Sequence, residues 1–210
     1  MRLHGYFRSA AAWRVRIALA LKGVTVETFP VNLRRGEQRA ASYLAVNPQG
    51  LVPALETPDG VLTQSIAIVE WLDETYPDPA LLPTSPYDRA RVRAAALVLA
   101  ADTHPLQNLM VLGRLRALGV AEADVQGWAA EVNAHGLVAF EALLPPREEA
   151  CCFGRTPGLA DLCMVPQLGN ARRFGVDVAR FPRLLRHEAA CMALPAFSDA
   201  VPGRQPDAEP

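Results

Sequence analysis

Apolar positions in the first eighty residues switch repeatedly between strand-like and helical spacing. Residues 2–6 form a short extended run. Residues 11–22 (AAWRVRIALALK) are rich in helix formers and stop at Gly23, a natural C-cap. Residues 24–31 (VTVETFPV) interleave β-branched and other side chains, as a strand does. Residues 36–46 are polar and alanine-rich, which predicts a short helix halted by Asn47-Pro48. Two short apolar runs, 51–56 and 60–63, flank Pro58-Asp59-Gly60; that tight-turn tripeptide makes them a hairpin. Ser65 is expected to cap a helix over 66–75, with Ile66, Val69 and Leu72 on its buried side. The order, βαβ and then αββα, predicts an α/β thioredoxin-like domain.

Residues 76–87 (YPDPALLPTSPY) carry four prolines, cannot continue a helix, and read as a linker. Helical spacing prevails after it. Residues 88–118 form one long stretch, with a possible break at His104-Pro105, and 121–144 form a second that ends at Pro145-Pro146. Residues 159–174 are apolar on nearly every face and should be buried. Shorter helices follow at 181–192 and 195–200, and the polar tail GRQPDAEP is expected to fray. The expected organisation is therefore a thioredoxin-like domain over 1–79 and an all-α domain over 87–210.

The chain has 210 residues, enough for one large core or two modest ones. Half of them are hydrophobic and a fifth charged, as in ordinary folded domains. A net charge of −1 gives no pull toward nucleic acid or an anionic membrane. The start, MRLHG, lacks the apolar core of a signal peptide, and no apolar run is long enough to span a bilayer. A cytoplasmic protein is expected. Cys151, Cys152, Cys163 and Cys191 contain no Cys-x-x-Cys pair and do not alternate with histidines at metal-ligand spacing. They read as reduced, packed thiols, and no metal site is expected.

Three junctions carry candidate chemistry. Ser9 lies just before the first helix, where free N–H groups and the helix dipole favour an anion such as a thiolate. It reads equally as a plain N-cap. Val52-Pro53 enters a strand, where proline is unusual. A cis bond there would leave the Val52 backbone free to pair with an extended peptide ligand, and an edge-strand proline with no ligand fits as well. Gln64 and Ser65 place an amide and a hydroxyl at the start of the third helix, a setting for a carboxylate or simply for a cap.

Taken together, these junctions resemble the glutathione site of the glutathione transferases, and the zeta class in particular. YFRSxxxWRVRIALALKGV, NPQGLVPALE, TQSIAIVEWLDETYPDPALLP, HPLQNL, LADLCMVPQLGNARRFGVD and the ending RQPDA are similar to that family in order and spacing, over nearly the whole chain. The family's Ser-Ser-Cys reads Ser9-Ala10-Ala11 here, so the second serine and the cysteine are absent. The resemblance gives Ser9 the hydrogen bond to the glutathione sulfur. It assigns Gln38 to the glycine end of glutathione, the Val52 backbone beside Pro53 to the cysteinyl unit, and Gln64 and Ser65 to the γ-glutamyl carboxylate. His104 and Asn108 would line the same site from the helical domain. Arg8 and Arg173 would clamp a dicarboxylate substrate bidentately; Arg173 reads as well as a surface charge. Arg14 joins them as a cationic stabiliser, or is structural within the first helix. Asp161 would sit at N3 of the buried helix, in a capping box that has lost its serine or threonine to Gly158.

What the resemblance implies for activity is a glutathione-dependent cis–trans isomerase of maleylpyruvate or maleylacetoacetate. The cofactor thiolate adds to the cis alkene, the resulting single bond rotates, and elimination leaves the trans isomer. Glutathione is not consumed. The resemblance also implies a homodimer. Two other readings share the first domain: a general transferase that conjugates electrophiles, and a non-catalytic glutathione-binding relative.

Overall fold

The computed structural model describes residues 1–209. They cluster into two compact units, Met1–Leu81 with the chain from Met192 onward, and Leu82–Cys191. In the first unit, β1 (Arg2–Gly5) lies between β2 (Glu27–Pro30) and β3 (Ala54–Thr57), with β4 (Gly60–Thr63) at the far edge. β1 runs parallel to β2 and antiparallel to β3, and β3 and β4 are antiparallel. Helices α1 (Ala10–Leu21), α2 (Ala41–Leu44) and α3 (Ser65–Thr75) complete the expected βαβ, αββα order. Leu3 and Leu55 face each other across β1 and β3 and are fully buried, as are Val15 and Ile17 of α1 and Ile68 and Leu72 of α3. The hairpin turn is Pro58-Asp59, with Thr57 paired to Gly60 and the Thr57 hydroxyl donating to the Gly60 carbonyl at 2.9 Å.

Four local expectations change. β2 begins at Glu27, because Val24 is still occupied in closing α1: its N–H donates to the Leu19 carbonyl at 2.9 Å. The helix expected over 36–46 divides into a 3-10 turn, Glu37–Arg39, and α2, because Ala40 between them is extended (φ −65°, ψ 143°). Ser65 does not cap α3; it is the first helical residue, and the cap position belongs to Gln64, which makes no side-chain capping bond. The tail does not fray: the Asp207 carboxylate accepts the Phe7 N–H at 2.9 Å, and the Glu209 carboxylate accepts from the Asn32 side chain at 2.9 Å. Residues from Met192 onward, expected with the helical domain, instead cluster with the first unit; they include α9 (Pro195–Ser198). The segment that reads as a linker is also anchored. The buried Lys22 ammonium bonds the Asp73 carboxylate at 2.7 Å and the Pro79 carbonyl at 2.6 Å, while Asp73 also accepts the Leu81 N–H at 2.7 Å. Both Val52-Pro53 and Asp78-Pro79 are cis.

The second unit is helical. α4 (Pro86–Leu97) starts with proline at N1 and Ser85 as its cap. The run expected over 88–118 is broken: a π-helical turn, Val98–Thr103, and a 3-10 turn, His104–Gln107, precede α5 (Leu109–Ala117). Pro105 supplies no N–H, and Asn108 starts a new helix by accepting the Val111 N–H at 3.0 Å. α6 (Glu122–Leu143), α7 (Leu159–Arg173) and α8 (Pro182–Met192) follow. α7 is buried along almost its whole length, as its composition implied, and is tied to α6 by the Gln167 amide donating to Asn133 at 2.6 Å. At its start the fully buried Asp161 carboxylate accepts the N–H groups of Gly158 and Cys152, each at 2.9 Å. Gly158 has no side chain to return the bond, so only half a capping box stands. Among the described residues no helix is long and apolar enough to cross a membrane.

Candidate functional site

Four of the sequence-selected positions, Arg8, Ser9, Gln64 and Ser65, lie at loop-to-helix junctions of the first unit. Ser9 is the N-cap of α1, and its Oγ accepts the Ala12 N–H at 3.2 Å. This is the capping geometry that sequence could not separate from a ligand role. It does not exclude one, because a hydroxyl that accepts one bond keeps a proton to donate. Arg8 beside it is half-buried, its guanidinium 5.0 Å from the Phe7 ring. Arg14, one turn into α1, is buried, and its Nη1 donates to the Ser65 Oγ at 3.3 Å. The structure therefore joins Arg14 to the start of α3 and holds it inside the domain.

Gln64 combines an exposed side chain with the one positive φ among the described non-glycine residues, 69°. Such a backbone costs on the order of 1 kcal/mol and persists where the surroundings fix it. Its amide donates to Gln49 at 2.9 Å, which links the start of α3 to the NPQG turn. Sequence reasoning passed over Gln49, and also Tyr43 and Asn47, which both donate to the Leu51 carbonyl, at 2.6 and 2.7 Å. These bonds set the approach to Val52 and Pro53, both buried. Burial pushes the Tyr43 phenol up to about 12, against the opposing pull of the Asn47 bond, so it stays a donor at neutral pH. The signal for Asn47 was present: it starts a turn, and its own Oδ1 accepts the Gln49 N–H at 3.1 Å.

Gln38 reaches the same loop from the 3-10 turn. Its Nε2 donates to the Leu33 carbonyl at 3.4 Å, and its Oε1 is buried without a hydrogen-bond partner. Gly50 (φ +62°) presses on it: a Cβ at this position would sit 2.9 Å from the Gln38 carbonyl oxygen. Both the left-handed backbone and the contact require glycine. Gly50→Ala is expected to lower stability by about 1–2 kcal/mol, read as a fall in the unfolding midpoint; an unchanged midpoint would mean that the loop yields without strain.

His104, Asn108 and Arg173 belong to the second unit. His104 Nδ1 is 3.3 Å from the Gln107 amide. Asn108 spends its Oδ1 on the α5 cap. Arg173 is exposed at the end of α7 with its guanidinium 4.6 Å from the Phe174 ring. The thiols lie buried, also in this unit. Cys151, Asp161 and Cys191 bring potential metal-ligating atoms within 4.8 Å of one another. Asp161 already accepts two backbone N–H groups, and burial holds its carboxyl above the usual range. Both carboxylate oxygens are thus engaged in capping α7 and the Cys152 turn.

The first unit thus offers a helix N-terminus with a hydroxyl, amides from two loops, and a buried cation behind a second helix start. This donor set suits a thiol carried on a small acidic peptide. The family model for the glutathione S-transferase N-terminal domain matches residues 8–75. The maleylacetoacetate isomerase of Pseudomonas aeruginosa is 49% identical over 210 residues, covering 99% of this chain and 98% of that protein. The holo structure of a maleyl pyruvate isomerase, described as a bacterial zeta-class glutathione S-transferase, superposes with a TM-score of 0.96 at 45% identity, with all of both chains covered. A maleylacetoacetate isomerase from Anaeromyxobacter dehalogenans, solved with glutathione in its active site, gives a TM-score of 0.90 at 46% identity, covering 99% of this chain and 97% of that one.

Proposed function

The chain belongs to the glutathione S-transferase family, and from that membership we propose that it is a zeta-class isomerase converting a maleyl ketoacid, maleylacetoacetate or maleylpyruvate, to the fumaryl form. The observation that carries this reading is the end-to-end similarity to isomerases, one of them described as zeta-class, over 99–100% of this chain. The residues fit glutathione: Gln38 has an unspent acceptor for the glycyl N–H, and the Gln64 backbone is held in its rare conformation beside the α3 N-terminus.

Bound glutathione supplies the thiolate nucleophile that adds reversibly to the cis alkene. Ser9 would donate a hydrogen bond to that sulfur, keeping its proton, while its Oγ stays anchored on the Ala12 N–H. Gln64, Ser65 and the α3 N-terminus hold the γ-glutamyl carboxylate. Arg14 holds Ser65 in place and adds positive charge behind it. The Val52 backbone beside Pro53 pairs with the cysteinyl unit, and Gln38 takes the glycine end. By resemblance to the family, His104 and Asn108 are further assigned to glutathione, and Arg8 and Arg173 to the substrate carboxylates. The working form is a cytoplasmic homodimer.

The test is a pair of assays, one with a maleyl ketoacid and one with a chlorinated aromatic electrophile, with glutathione recovered afterwards. Isomerisation with full recovery is expected. Turnover of the aromatic alone, with glutathione consumed, would replace isomerase by conjugating transferase; turnover of neither would leave the non-catalytic glutathione-binding relative, the reading that Ala10 and Ala11 in place of the family's Ser-Cys favour. For Ser9→Ala, the bound thiol should titrate about one unit higher, near 1.4 kcal/mol, because a donor to the charged form is lost. The α1 N–H groups still favour the anion. Ultraviolet titration of the thiolate measures the shift, and an unmoved titration in a folded variant removes Ser9 from this role.

A further inference from the structure

Phe7, one residue before Arg8-Ser9, has both of its backbone polar groups held by side chains. Its N–H donates to the Asp207 carboxylate at 2.9 Å, across 200 residues of sequence. Its carbonyl accepts from Arg16 Nη2 at 3.1 Å. The same guanidinium reaches the Ala200 carbonyl through Nε at 3.2 Å and Nη2 at 3.0 Å. Arg16 is thus a staple from α1 to the segment after α9, with the Phe7 peptide between. Around it, Glu209 accepts from Asn32 and lies 3.5 Å from Arg35, and Ala208 packs on the cluster of Tyr6, Phe7, Val31, Tyr43 and Val52. Burial draws Arg16 down to about 10, and the nearby Asp207 charge pulls the other way.

These contacts have a geometric consequence. Ser9 closes a turn on Tyr6, its N–H donating to the Tyr6 carbonyl at 2.9 Å, so the Phe7 peptide lies within the turn that delivers the Ser9 hydroxyl. Fixing that peptide from both sides fixes where Ser9 Oγ points. We infer that Asp207 and Arg16 are positioning residues for the reaction: together they clamp the Phe7 peptide and thereby aim the Ser9 hydroxyl at the sulfur. The inference rests on the role proposed above for Ser9.

The test compares Asp207→Ala, Asp207→Asn and Ser9→Ala, alone and with Asp207→Ala and Ser9→Ala combined, by ultraviolet titration of bound glutathione, by kcat and KM for glutathione, and by thermal melting. Asp207 is half-buried, and thermal melting checks that each variant folds. Asp207→Ala is expected to lower kcat on the order of tenfold at neutral pH, to shift the thiolate titration upward, and to change KM less. Asp207→Asn should recover most of this loss, since its amide oxygen still accepts the Phe7 N–H. In the Ser9→Ala background, Asp207→Ala should move the titration no further. If Ser9→Ala shifts the titration while Asp207→Ala alters only melting, the inference falls and the role of Ser9 stands. If Ser9→Ala leaves the titration unmoved, the role of Ser9 falls and the inference with it. Shifts that add in the combined variant would likewise overturn it, since Asp207 would then act on the sulfur by another route.

Discussion

Asp73→Ala is expected to destabilise the protein by about 3–5 kcal/mol, the usual cost of removing one partner from a buried ion pair. The Lys22 side chain is completely buried and its partner nearly so, at 0% and 7% exposed. Without Asp73, the ammonium would keep only the Pro79 carbonyl, and the buried Leu81 N–H would lose its acceptor. In a chain of this length that is a fall in Tm on the order of 10 °C, measurable by calorimetry. Replacing both partners, Lys22→Met with Asp73→Leu, should recover much of the loss, because no charge is then stranded. A single variant that melts like the parent would mean that water reaches the ammonium.

The second large effect belongs to Asp161. Its carboxylate accepts two buried N–H groups, from Gly158 and Cys152. Orphaning each costs about 1–3 kcal/mol, so Asp161→Ala should cost about 2–6 kcal/mol. Asp161→Asn should cost less, since one oxygen remains to accept. Burial raises the folded carboxyl above its ordinary value, the largest influence on it, while the two N–H bonds oppose the shift. A raised folded pKa in an acid means that the native state holds its proton more firmly than the unfolded chain does. The group's contribution is therefore complete below the unfolded pKa of about 4 and declines as pH rises through the folded value. Asp161→Asn, which cannot ionise, should flatten that slope. Chemical unfolding of both proteins across acid to neutral pH measures it, and parallel profiles would contradict the assignment.

Local chemistry made most of the fold legible. Pro58-Asp59-Gly60 can scarcely form anything but a tight turn, and the proline-dense stretch 76–87 can scarcely be helical. What escaped were outcomes set by distant partners. Nothing local in RQPDA says that Asp207 will receive an N–H from Phe7, so a polar tail read as a frayed one. Ser65 looked like a cap because serine caps helices; Gln64 took the cap position with a backbone that its own residue type disfavours. The proline at 105 advertised a break in the long helix, but the π-helical turn before it has no comparable sequence mark. At the candidate site, Ser9 was legible as a helix start, whereas Gln49, Tyr43 and Asn47 act on backbone and amide groups that only folding brings near.

The return of the chain from Met192 to the first unit bears on synthesis as well. The sequence of the helical unit lies inside the sequence of its neighbour. At about 5–20 residues per second, Asp207 leaves the ribosome roughly 10–40 s after Phe7. During that interval β1, α1 and the Ser9 turn are already outside the exit tunnel, while Arg16 has neither the Ala200 carbonyl nor the Asp207 charge to work with. The nascent first unit is an incomplete fold that holds its apolar cluster of Tyr6, Phe7, Val31, Tyr43 and Val52 without Ala208 over it. The turn that carries Ser9 is thus made 200 residues before the last contact that sets it.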